Sequence, residues 1–77
     1  MKRQWMNMKF NEELDCWLVV YGENEFKMHC GEWLYLRTGD SEGIPCRIEL
    51  GKDWYIVMGR EGVKLNLMPK EIYQVEI

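Results

Sequence analysis

Short stretches in which apolar and polar residues alternate follow one another along the chain. In the first, Met6, Met8 and Phe10 alternate with polar residues, and this period of two predicts a half-buried strand. The stretches at 16–21 and 54–58 are apolar on both faces and rich in β-branched and aromatic residues, which predicts central strands. Apolar residues nowhere recur at the spacing of an amphipathic helix, so no such helix is predicted.

Further strands are predicted wherever the alternation returns after a turn. At 33–38, Leu34 and Leu36 are expected on one face of the strand, with Trp33 and Tyr35 on the other. Turn signals recur about every 8–12 residues, which is typical of small barrels and sandwiches. The last strand is expected to pair with an early strand and close the sheet. The other predicted segments lie at 26–30, 44–50, 63–67 and 72–77.

Length and charge narrow the classes of protein that fit this pattern. The 77 residues allow one domain, spanning residues 1–77, because chains of this size bury little surface. The net charge of −3 disfavours nucleic-acid binding, which draws on a positive field. The longest apolar run is far shorter than the ~20 residues of a membrane span. Three widely spaced cysteines are typical of reduced thiols, and we expect a cytoplasmic protein.

Candidate chemistry is sparse. His29 and Cys30 could serve as metal ligands with Cys16 and Cys46, but neighbours in a strand point to opposite faces and zinc ligands usually come in close pairs. The same geometry disfavours Cys30 as a nucleophile with His29 as its base. The acidic turn residues around 12–15, 23–25, 40–42 and 53 could form a carboxylate pair or a weak cation site, although charged turns are usually solvated. We therefore predict no catalytic residue, no metal and no cofactor.

Three segments together resemble a known family. They are residues 29–36, HCGEWLYL, residues 44–50, IPCRIEL, and residues 53–57, DWYIV. This combination is similar to that of a bacterial domain-of-unknown-function family, number fifty-three forty-eight, whose members are short all-β proteins. The resemblance implies no activity, because the family has no assigned function.

The second half of the chain is also similar in order to the SH3 fold. It has Trp54 and Tyr55 after an acidic turn, a distal-type turn at 59–62, and Met68 and Pro69 before a closing strand. This likeness implies an SH3-like barrel of five to seven short antiparallel strands, with at most one short helical turn near residues 68–71. The Ala-Leu-Tyr-like motif of the proline-binding groove is not recognisable at 5–10, so the likeness implies a topology and no ligand.

The aromatic residues are the most informative candidates for function. Four tryptophans in so small a chain cannot all be fully buried. Either they fill the core and cover its ends, or some form an exposed patch that binds protein. The residues of the predicted patch are Trp33, Tyr35, Trp54, Met68 and Pro69.

We therefore expect a non-enzymatic module that binds an unknown protein partner or self-associates through this patch. The alternative is a small nucleic-acid-binding barrel in which aromatic residues stack on bases beside cationic side chains. The cations of that alternative are Lys2, Arg3, Lys9, Arg37, Arg47 and Arg60.

Overall fold

The computed structural model describes residues 4–77, and all regular structure in this range is β-strand. The fold is therefore all-β, as the alternating pattern predicted. The strands are β1 (Met6–Asn11), β2 (Cys16–Tyr21), β3 (Asn24–Lys27), β4 (Trp33–Arg37), β5 (Gly43–Leu50), β6 (Trp54–Met58), β7 (Val63–Asn66) and β8 (Tyr73–Glu76).

The strands form one antiparallel sheet with the order β3-β2-β1-β8-β4-β5-β6-β7. Most neighbours are consecutive hairpins, and β8 joins them by lying between β1 and β4. Met8 faces Tyr73 across one ladder, and Leu36 faces Val75 across the other. The predicted pairing of the last strand with an early one is thus correct, and this strand links the N-terminal hairpin to the rest of the sheet.

One face of the sheet carries the core. Cross-strand partners on this face include Leu34 with Cys46 and Ile48 with Ile56, and all four are buried. Trp17 and Val19 of β2 belong to the same buried cluster, although β2 and β6 lie far apart in the strand order. The sheet therefore curls until its two halves pack against each other.

Two details of the fold differ from the prediction. The sheet has eight strands instead of five to seven. The third strand is Asn24–Lys27, earlier than the predicted 26–30, because Met28 already leaves it to pack in the core and Cys30 lies in a turn. Near residues 68–71, where at most one helical turn was expected, the described chain has a turn closed by the Glu71 N–H donating to the Met68 carbonyl at 2.9 Å, and no helix.

Closure into an SH3-like barrel is not confirmed. Within residues 4–77, β3 and β7 each pair with one neighbour only, so the sheet has two edges. Those edge strands are short and carry charged or polar residues such as Lys27 and Lys64, a composition that discourages pairing with other chains. None of the described elements is a helix long and apolar enough to cross a membrane.

Candidate functional site

The structure divides the predicted aromatic patch between two surfaces. Trp54, Met68 and Pro69 line a cleft at one end of the curled sheet. Trp33 and Tyr35 line a groove on the outer face of β4 and β5. Side chains alternate between faces along a strand, and Trp33 pairs with Arg47 on the face opposite the buried Ile48. The two parts of the predicted patch therefore do not form one surface.

The first surface, here the mouth cleft, lies where three connections meet. They are the turn between β1 and β2, the β5–β6 connection and the segment that follows β7, and they enclose a volume of about 460 Å³. The residues that define the cleft are Phe10, Asp15, Trp17, Asp53, Trp54 and Met68. The cleft therefore combines aromatic, aliphatic and acidic side chains.

The floor of the mouth cleft is continuous with the core. Trp17 is fully buried, and its ring lies 5.5 Å from that of Phe10 and 5.6 Å from that of Tyr73, in tilted and edge-on arrangements that aromatic pairs favour. The Tyr73 hydroxyl accepts a hydrogen bond of 2.9 Å from the Met68 N–H. Packing and this hydrogen bond together fix the segment after β7 at the edge of the cleft.

Two tryptophans that line the mouth cleft have an indole N–H group without a hydrogen-bond partner. The Nε1 atoms of Trp17 and Trp54 are both buried, and neither donates to any described residue. Trp5 provides a contrast, since its Nε1 donates to the Asp40 carbonyl at 2.8 Å. A buried donor without a partner costs about 1–3 kcal/mol, so two of them in one cleft call for a functional explanation.

The rim of the mouth cleft is acidic. Asp15 and Asp53 line the cleft with one cation, Lys52, and all three are exposed. Glu12 and Glu13 line a shallower groove that shares Phe10 with the cleft. None of these four carboxylates forms an ion pair within residues 4–77.

The second surface, here the outer groove, is almost entirely apolar. Its volume is about 340 Å³, and its walls include Trp33, Tyr35, Pro45 and Ile77 above the buried Leu34. Trp33 is 62% exposed and Ile77 is 53% exposed. Such a groove suits an apolar side chain and offers little polar chemistry.

The outer groove also borders a cation. The Arg47 guanidinium lies 5.9 Å from the centroid of the Trp33 ring, within the range of a cation–π contact. Arg47 Nε donates to Glu49 Oε2 at 2.9 Å, so this positive charge is already paired.

The residues considered for metal binding or catalysis do not converge. His29 Nδ1 lies 2.8 Å from Glu32 Oε1 on an exposed turn, and Cys30 is exposed while Cys16 and Cys46 are buried. In residues 4–77, no three His, Cys, Asp or Glu side chains lie close enough together to hold a metal ion. Burial raises the pKa of the Cys46 thiol, which favours the unreactive protonated form.

Sequence reasoning missed several residues of the mouth cleft. Phe10 and Trp17 were assigned to strands, and Asp15 to a solvated turn, because their approach to Trp54 depends on how the sheet curls. The structure, unlike the sequence, marks Asp15 by its backbone conformation. Its φ of 52° is unusual for a residue other than glycine, although Asp tolerates such an angle better than most residues.

Comparisons with known proteins agree with this fold. The structure is similar to the crystal structure of a protein from Ruminococcus gnavus, with a TM-score of 0.74 and 25% sequence identity, over 96% of this chain and 100% of the other. No curated protein matches the chain. The family model described as a domain of unknown function (DUF5348) matches residues 6–77, which confirms the resemblance seen in the sequence. The chain therefore belongs to the DUF5348 family of domains of unknown function.

Proposed function

We propose that this domain is a non-enzymatic module that binds a protein partner through the mouth cleft. The observation that carries the proposal is the pair of buried indole N–H groups, on Trp17 and Trp54, that have no acceptor in a cleft with aromatic walls. Binding sites of this type combine apolar walls with a few polar groups that orient the ligand.

A peptide segment has the chemistry that these groups lack. Its backbone carbonyls accept hydrogen bonds from indole N–H groups, and its apolar side chains pack against Phe10 and Trp54. Both Nε1 atoms are buried, so an acceptor reaches them only when side chains of the cleft shift. Met68 is 57% exposed and unbranched, which makes it suited to such a movement.

The test is photo-cross-linking in the native host cells. A benzophenone amino acid replaces Met68 in one variant and Phe26 in the control; Phe26 is 45% exposed and lies on the edge strand β3. We expect a protein adduct from position 68 and none from position 26. Adding Trp54→Phe to the first variant removes the indole donor and should abolish most of that adduct.

Two results would contradict this role for the cleft. One is the absence of an adduct at position 68, and the other is an adduct that Trp54→Phe leaves unchanged. Thermal unfolding of the Trp54→Phe variant supplies the folding control. Because Trp54 Nε1 has no hydrogen bond to lose, we expect the free energy of unfolding of this variant to differ from that of the unmodified protein by less than about 1.5 kcal/mol.

Self-association through the outer groove is a second candidate function. The observation in its favour is Trp33, which is 62% exposed beside Tyr35, Pro45 and Ile77, since exposed apolar patches mark interaction surfaces. Sedimentation across a range of concentrations should show a dimer that Trp33→Ala dissociates. A monomer at every concentration would remove this candidate.

The nucleic-acid alternative has less support. Lys2 and Arg3 lie outside the described residues. Three of the other cations already lie close to carboxylates: Arg37 at 3.4 Å from Asp40, Arg47 at 2.9 Å from Glu49 and Lys9 at 4.0 Å from Glu25. The SH3-like arrangement and the cytoplasmic location expected from the sequence stay predictions.

A further inference from the structure

We propose that the segment bound by the mouth cleft is basic, with a lysine or arginine placed beside Asp15 and Asp53. The inference rests on the proposed function and names the chemistry of the partner. It depends on two separate observations, the arrangement of charges on the rim and the donors in the floor.

The charges on the rim favour a cation. Asp15 and Asp53 flank the cleft against one lysine, Lys52. Glu12 and Glu13 extend the negative charge across Phe10, on a groove that also holds Lys9, whose Nζ lies 4.0 Å from Glu25 Oε2. The described residues give these four carboxylates no ionic partner. A positively charged segment supplies that partner and is steered toward the cleft by the negative charges.

The floor requires an acceptor as well as a cation. Trp17 is fully buried, and its Nε1 has no partner, so a ligand that brings only an ammonium group leaves it unsatisfied. A basic peptide supplies both groups, because its main-chain carbonyls accept from the indoles while a side-chain cation reaches the rim. A simple alkylammonium lacks the acceptor, and an acidic peptide meets four carboxylates of its own sign.

The two carboxylates of the rim lie on separate hydrogen-bonded turns. Asp15 ends the β1–β2 turn, in which the Leu14 N–H donates to Asn11 Oδ1 at 2.9 Å. Asp53 belongs to the β5–β6 connection, in which the Gly51 N–H donates to the backbone carbonyl of Asp53 at 3.2 Å. Both carboxylates are therefore carried on hydrogen-bonded turns, and the mouth cleft with Trp54 and Met68 is enclosed between those turns.

The experiment is a binding assay on a peptide array. Each peptide alternates apolar residues with one repeated charged or polar residue, in three matched sets that carry Lys and Arg, Gln, or Glu. The intact protein should bind the basic set most tightly and the acidic set least. Raising the salt concentration should weaken binding to the basic set, because exposed charges are screened.

Charge variants test the rim directly. Asp15→Asn combined with Asp53→Asn should weaken binding to the basic set about five-fold, since two exposed ion pairs are lost and each contributes only modestly. The control is Glu23→Gln combined with Glu61→Gln, which changes the net charge equally at the far ends of β2 and β6. The control should bind like the unmodified protein.

The outcomes separate this inference from the proposed function. Equal binding of the basic and neutral sets, or the same loss in the control as in the rim variant, overturns the basic preference and leaves peptide binding in place. Preference for the acidic set also overturns it. Absence of binding to all three sets, together with no adduct at position 68, overturns both proposals.

Discussion

The mouth cleft and the outer groove both present aromatic residues to solvent, but they are built in different ways. In the cleft, the aromatic floor is Trp17, a fully buried residue in contact with Phe10 and Tyr73. In the groove, the largest aromatic is Trp33, which lies on the outside of the sheet and is 62% exposed. The same type of residue is thus part of the core in one region and attached to the surface in the other.

This difference determines how far each surface can change without loss of the fold. The floor of the cleft takes its shape from core packing around Trp17 and is held in place before any ligand binds, which lowers the entropic cost of binding, while the exposed Met68 side chain at its edge is the part that moves. The groove rests on Leu34, and its exposed residues are replaceable at little cost to stability. A binding function in the cleft is therefore tied to folding, whereas one in the groove can be altered independently.

The largest expected effect comes from removing the aromatic ring of each region in turn. Trp17→Ala should lower the free energy of unfolding by about 3–5 kcal/mol, a large fraction of what a small domain has. Trp33→Ala should change it by less than about 0.5 kcal/mol, as surface substitutions usually do. Chemical denaturation monitored by circular dichroism measures both.

A milder variant keeps this comparison testable if Trp17→Ala does not fold. Trp17→Phe retains an aromatic ring in the core and should destabilise less than the alanine variant, yet more than Trp33→Ala. Equal losses at positions 17 and 33 would show that the two regions are not built differently.

Overpacking at Gly43, next to Tyr35 of the outer groove, should produce an intermediate effect. A Cβ atom added at Gly43 would lie 2.9 Å from Trp5 Cη2 and 3.3 Å from both the Leu36 carbonyl oxygen and Tyr35 Cβ. Gly43→Ala should therefore cost about 1–3 kcal/mol and displace Tyr35, while binding in the mouth cleft is retained. Thermal unfolding and the peptide assay measure these two properties.

Gly39→Ala is the matched control for this substitution. The nearest atom to its added Cβ would be Glu42 Cβ at 3.6 Å, an ordinary contact, so the free energy of unfolding should change little. If Gly39→Ala destabilises the protein as much as Gly43→Ala, steric crowding at the groove is not the cause.

Much of the fold was predictable because the physical signals are local. Alternation placed the strands, and the position of Leu34 and Leu36 opposite Trp33 follows from the period of two. The number of strands and the unpaired edges were not predictable, since they depend on which strands meet after the sheet curls. The buried Met28 ended β3 early because its side chain packs in the core, a tertiary effect with no local signature.

The candidate site was predictable only in part, for a related reason. Sequence spacing identified Trp54, Met68 and Pro69 as candidates, and these do share a cleft. It also joined them to Trp33 and Tyr35, because the face of Trp54 was ambiguous in a strand that is apolar on both sides. The structure resolves this ambiguity. Trp54 pairs with Leu50 of β5, two residues from the buried pair Ile48 and Ile56, so Trp54 lies on the core face of β6.

The smallest predicted effect concerns a core thiol next to Leu34, the buried residue on which the outer groove rests. Cys46 is fully buried opposite Leu34, and burial raises its pKa above the ordinary value of 9.0. The folded chain therefore keeps the proton at pH values where the unfolded chain has lost it. This contribution to stability is fully present below pH 9.0 and falls as the pH rises above it, by at most about 1.4 kcal/mol per pH unit.

Chemical denaturation between neutral and alkaline pH measures this slope. Cys46→Ala should flatten the loss of stability above pH 9.0. An identical slope in the Cys46→Ala variant would mean that other groups account for the alkaline loss. A flattened slope would show that the Cys46 thiol is kept from water in the core next to Leu34, on which the outer groove rests.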